Sequence, residues 1–184
     1  MTGDQRFAIL AVCTANICRS PLMQILLRAE LDPARFEVAS AGVQGWDRAP
    51  MDTMAAMELM RLGHSAAAFR SQRINSYLAD SADLILTASR SHRSEVLSAN
   101  PKALRRTFTL REFAALTELV QGDDPRGLVA EAARRRSLAP TEIDINDPYR
   151  RSPEIHRQTA DQIDEAVRTI STSLNRLVSV GQRD

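Results

Sequence analysis

The residues best suited to chemistry stand together near the start of the chain, in Cys13-Thr14-Ala15-Asn16-Ile17-Cys18-Arg19-Ser20-Pro21. Five residues separate the Cys13 thiol from the Arg19 guanidinium, and the Ser20 hydroxyl follows directly. A thiolate attacks phosphorus and forms a covalent intermediate. A guanidinium grips two phosphoryl oxygens at once, which an ammonium does less well. Ser20 can donate a hydrogen bond to the sulfur and help it leave. Asn16 tolerates a left-handed backbone and can tie a loop through its amide. The Cys-to-Arg spacing is weak by itself, and its setting strengthens it.

That setting is a strand, a loop and a helix. Residues 7–12 form a short apolar run without helical spacing, as a buried strand does. From Pro21 a helix follows, with Leu22, Ile25, Leu26 and Ala29 on one face. A loop between them points backbone N–H groups at one spot, an anion nest. The helix start adds partial positive charge. With Arg19 these dipoles should favour the thiolate of Cys13. A leaving alcohol or phenol also needs a proton. Asp147, in Ile145-Asn146-Asp147-Pro148-Tyr149, can supply it, and Asp123-Asp124-Pro125 looks much the same. Local pattern does not choose between them.

Further strands are expected at 36–41, 83–87 and 106–110, and helices at 51–62, 89–99, 111–120, around 129–136 and 153–180. In the second helix Met54, Met57, Leu59 and Met60 should face mostly inward, with Gly63 as the stop. The last carries one apolar face through Ile155, Ile163, Val167, Ile170, Leu174 and Leu177. Strands alternating with helices mean an α/β fold, a parallel sheet with helices on both faces. The 184 residues suit one domain spanning 1–184. Segment 121–138 is polar at its start and reads as an insertion.

The chain resembles the low-molecular-weight protein tyrosine phosphatase family over most of its length. The loop string, Val38-Ala39-Ser40-Ala41-Gly42, Ala82-Asp83-Leu84-Ile85-Leu86 and Asp147-Pro148-Tyr149 carry the resemblance. It implies a four-stranded parallel sheet with a phosphate-binding loop between the first strand and helix. It implies hydrolysis of phosphotyrosine in proteins, and of aryl phosphates, through a phosphocysteine. Cys13 would be nucleophile, Arg19 the phosphate clamp and Asp147, rather than Asp124, the acid and then the base. Thr14, Ala15, Asn16, Ile17, Cys18 and Ser20 would bind substrate, with Asn16, Ser20 and Ser40 supporting the loop. Trp46 and Tyr149 would form the pocket's lips. Cys18 would pair reversibly with Cys13, making the enzyme redox-sensitive.

The chain also departs from that pattern. Thr14-Ala15 replaces an apolar residue and Gly, so Ala15 must keep a negative φ. Phe69-Arg70-Ser71-Gln72 replaces a His-x-Ala-Arg string, removing a histidine that buttresses the loop. Arg150 replaces a second aromatic residue after Tyr149.

Two cysteines make no disulfide framework, and no signal peptide or membrane span is evident, so a cytoplasmic setting is expected. No cofactor is expected. His64, His92 and His156 lack paired metal-ligand spacing and read as surface or cap residues. A net charge of +1 offers nucleic acid no global field. Arg134-Arg135-Arg136 reads as a solvated helix face, and Arg150-Arg151 can steer an anionic substrate. Two other functions share parts of this pattern. An arsenate reductase would need an external small thiol, since no cysteine lies outside the loop. A non-enzymatic phosphoprotein-binding module would not require Cys13, Arg19 and Asp147 together.

Overall fold

The computed structural model describes residues 6–45 and 47–180. Its centre is the apolar run Phe7–Cys13, which forms β1. Phe36–Gly42, Leu84–Thr87 and Thr107–Thr109 form β2, β3 and β4, and the four strands lie parallel in the order β2-β1-β3-β4. Side chains on a strand alternate between faces, and here both faces are covered. Ile9, Ala11 and Cys13 join one buried cluster, while Leu10 and Val12 join the other.

Helices α1 (Arg19–Glu30), α2 (Thr53–Arg61), α5 (Leu110–Leu119), α6 (Pro125–Arg134) and α7 (Pro153–Val180) bury their apolar residues in the first cluster. Helices α3 (Ser76–Ser81) and α4 (Arg90–Ala99), with the 3-10 segment Pro101–Arg106, cover the second. The expected α/β architecture with helices on both faces is therefore present. Along α7, Ile163, Val167, Ile170 and Leu174 are fully buried. Each stabilises the docked helix by about 1.5–3 kcal/mol.

Some expectations change. On α2 the inward positions are Ala55 and Leu59, while Met57 and Met60 are 52% and 68% exposed. Met51, Ala55 and Leu59 repeat every four residues, and a helix so short buries one narrow stripe. Gly63 does end the helix region, at φ 88. Within segment 121–138, α6 starts at Pro125 and is capped by Asp124, whose side chain accepts from the Gly127 amide. Leu128, Val129 and Ala132 are buried, so this segment builds core rather than lying on the surface. Arg134 and Arg135 are exposed, but Arg136 turns inward over the Phe108 ring at 4.4 Å. The triplet is thus not one solvated face. Among the described residues, no helix is long and apolar enough to cross a membrane.

Register brings the strand ends together, with Cys13 beside Gly42 and Val12 beside Thr87. In the order 2-1-3-4 the chain reverses direction across the sheet at β1. Parallel sheets bind ligands at that point, beyond the carboxyl ends of the strands.

Candidate active site

The loop leaving β1 closes around an open pocket lined by Cys13, Thr14, Ala15, Ile17, Cys18, Arg19, Gln44, Asp147 and Tyr149. Asn16 takes φ 56, the left-handed backbone its side chain tolerates, while Ala15 stays out of the positive-φ region, as the sequence required of it. Helix α1 opens at Arg19 with no side chain capping its free amides. Those N–H groups and the helix dipole stay available to an anion.

Behind the loop, Asn16 acts as a bracket. Its Nδ2 donates to Ser20 Oγ at 2.9 Å and to Ser40 Oγ at 2.7 Å. Its Oδ1 accepts from the Gln72 amide at 2.9 Å. Gln72 also donates through Nε2 to the Ser40 carbonyl, and Ser40 donates to Gln24 Oε1. Gln72 thereby braces the segment where the expected histidine is missing. Asn16 and Ser20 are fully buried and do not line the pocket, so their side chains support the loop. Cys13 Sγ lies 3.0 Å from Ser20 Oγ. That oxygen accepts from Asn16, and its hydrogen has two acceptors within reach, Cys13 Sγ and the Ala41 carbonyl at 3.4 Å.

Gly42 is needed here for close approach. A Cβ there would sit 2.6 Å from the Thr14 carbonyl oxygen and 2.9 Å from the Asn16 nitrogen. The absent side chain lets β2 lie against the loop, where the Gln44 amide donates to that same Thr14 carbonyl.

Arg19 is buried and aimed across the pocket. Its Nη1 donates to the Ile145 carbonyl at 3.1 Å, and its Nη2 lies 2.8 Å from Asp147 Oδ2. Its buried Nε has no hydrogen-bond partner. A buried cation with an unused donor is costly unless an anion completes it. Asp147 is half exposed at the mouth, and its Oδ1 accepts from the Tyr149 amide. Asp124, the local rival, is occupied as the cap of α6 and does not reach the pocket. Tyr149 lines the mouth, and the Arg150 guanidinium stands 5.2 Å over its ring. Trp46, the other expected lip, lies outside the described residues. Cys13 and Cys18 are both free and buried. Burial, reinforced by the charges of Asp52, Cys13 and Asp147, pushes the Cys18 thiol far above its ordinary range, so it stays protonated.

His92 and His156 are buried rather than superficial. His92 Nε2 lies 2.8 Å from Thr14 Oγ1, a contact across 78 positions that no local motif signals. Gln44 was likewise not foreseen. Its only signal was its place just beyond the glycine that ends β2.

Residues 8–134 match the family described as low molecular weight phosphotyrosine protein phosphatase. A "Protein-arginine-phosphatase" of Geobacillus stearothermophilus is 28% identical over 168 residues, spanning 91% of this chain and 96% of that protein. "Low molecular weight protein-tyrosine-phosphatase Etp" of Escherichia coli K12 is 33% identical over 112 residues, spanning 61% of this chain and 74% of its own. Among solved structures, the YwlE arginine phosphatase of Geobacillus stearothermophilus superposes with a TM-score of 0.77 at 26% identity, covering 97% of this chain and 98% of that one.

Proposed function

We infer, since this chain belongs to the low molecular weight phosphotyrosine protein phosphatase family of hydrolases, that it removes the phosphoryl group from phosphotyrosine in proteins, and from aryl phosphates, through a phosphocysteine on Cys13. One observation carries the reading: a thiol backed by a hydroxyl, a guanidinium with an unused donor and a carboxyl at the mouth surround one pocket.

In the first step Cys13 Sγ attacks phosphorus. The S–P bond forms, the P–O bond to the aryl group breaks, and Asp147 gives its proton to the departing oxygen. Arg19 must first exchange its contact with Asp147 for two phosphoryl oxygens. In the second step Asp147 takes a proton from water, the water oxygen attacks phosphorus, and the S–P bond breaks. Ser20 donates to the returning thiolate. Phosphate leaves and the site is restored.

The walls support an aryl leaving group. Ile17, Ala15 and Tyr149 are apolar surfaces for a flat ring. Arg150 over Tyr149 places a cation at the lip, which attracts an anionic phosphoprotein and repels a cationic product such as a protein's arginine side chain. A second reading, phosphoarginine in proteins, is favoured by the match to protein-arginine-phosphatases along 91% of this chain.

Steady-state hydrolysis of para-nitrophenyl phosphate, a phosphotyrosyl peptide and a phosphoarginyl peptide, by wild type and Cys13→Ser with chelator present, tests both. We expect turnover of the first two, lost in the variant. Preference for the phosphoarginyl peptide would transfer the assignment to the second reading. Turnover that survives Cys13→Ser would sink the mechanism.

A further inference from the structure

We propose that His92 is a positioning residue that turns the Thr14 hydroxyl into an extra hydrogen-bond donor for the phosphoryl group. The inference rests on the reading that this pocket takes a phosphoryl group.

Thr14 directly follows Cys13 and lines the pocket. Its Oγ1 accepts from Arg19 Nη2 at 3.3 Å and lies 2.8 Å from His92 Nε2. The other ring nitrogen, Nδ1, lies 2.7 Å from Ser89 Oγ, which is itself 2.8 Å from Ser91 Oγ. His92 is buried, and burial, with Arg19 adding to it, lowers its pKa to about 4 against the weaker pull of Asp147 and Asp144. The imidazole is therefore neutral at pH 7 and carries one N–H.

Two arrangements satisfy these contacts. With the hydrogen on Nδ1, His92 donates to Ser89, and Thr14 spends its own hydrogen on Nε2. Nothing is then left for the pocket. With the hydrogen on Nε2, Ser89 donates to Nδ1, and Thr14 Oγ1 accepts from both His92 and Arg19. Its hydrogen then has one useful direction, into the pocket. A phosphoryl oxygen there selects the second arrangement. Ser91, Ser89, His92 and Thr14 then donate in one sense toward the anion, each bond polarising the next. No charge moves. The neutral ring lets the chain run beside Arg19 without adding a second buried cation.

The test is calorimetric titration of inorganic phosphate into the full-length protein, which reads binding whether or not turnover occurs. Thr14→Val should weaken phosphate binding about tenfold, as loss of a hydrogen bond to a charged group does. Thr14→Ser should restore it. His92→Phe should match Thr14→Val, and the double variant should be no weaker than either. His92→Gln, which keeps a side-chain N–H, should recover part of the loss and carries the comparison if His92→Phe does not fold. In 15N NMR of histidine-labelled protein, phosphate should shift the His92 proton toward Nε2. Unchanged affinity in Thr14→Val, or additive losses in the double variant, would overturn the proposal. Failure on aryl phosphates with these binding effects intact would count against the proposed reaction instead.

Discussion

Asp147 illustrates how one side chain's duty depends on what fills the pocket. It lies 2.8 Å from Arg19, and a phosphoryl group competes for that guanidinium. If Asp147 then protonates the leaving oxygen, its removal matters in proportion to how badly that oxygen needs a proton. Asp147→Ala should slow phenyl phosphate about a hundredfold or more and para-nitrophenyl phosphate far less. A plot of log kcat/KM, which reports the step that expels the leaving group, against leaving-group pKa should steepen; equal slowing of kcat/KM across the series would remove Asp147 from the acid role. At this scale, legibility followed sequence distance. The Cys13–Pro21 loop was readable because its chemistry is contiguous. The bracket around Asn16 was half readable: Ser20 and Ser40 were expected, while Gln72 and Gln24 were not. Polar residues without a motif reveal a partner only once the chain is folded. His92 was misread as superficial because its partner Thr14 lies on another element.

Elements position the loop through one glycine. At Gly42 any Cβ would meet backbone, 2.6 Å from the Thr14 oxygen and 2.8 Å from the Ala15 carbonyl carbon. Backbone cannot swing aside as a side chain can. Gly42→Ala should therefore cost about 1–3 kcal/mol of stability and weaken inorganic phosphate binding with it. Gly63→Ala is the control: its Cβ meets nothing within 4 Å, but φ is +88. It should lose about 1–2 kcal/mol to backbone strain and bind phosphate as wild type does. Unimpaired phosphate binding by Gly42→Ala would show that the β2–loop contact does not shape the site. The strands were legible because fully buried strands are uninterrupted apolar runs. Helix α3 was not, since six residues with one buried side chain, Ala79, carry no periodic signal. Met57 and Met60 were misplaced because α2 has more apolar residues than its inner stripe can hold.

Across the whole molecule the α/β alternation was legible, but the ion pairs that tie helices to one another were not. Glu112 is the clearest case. It is buried, it closes the capping box of α5 with Thr109, and it accepts from Arg93 of α4 at 2.9 Å. Arg136, just past α6, approaches it to 3.5 Å while donating to the Thr107 carbonyl. One carboxylate thus joins α4, α5 and the segment after α6, and explains why part of 121–138 is held inward. Removing one charge from a buried pair strands the others, which costs about 3–5 kcal/mol. Glu112→Gln should lower the midpoint of thermal unfolding by about 6–20 °C, given about 2–4 °C per kcal/mol in a chain of this size. Arg168→Ala breaks the exposed pair with Asp164 on α7 and should change stability by less than about 1 kcal/mol. Glu112 does not line the pocket, so kcat/KM of the folded Glu112→Gln protein at low temperature should stay near wild type. If both variants melt alike, the buried carboxylate is not what ties these helices together, and apolar packing alone holds the segment to the core.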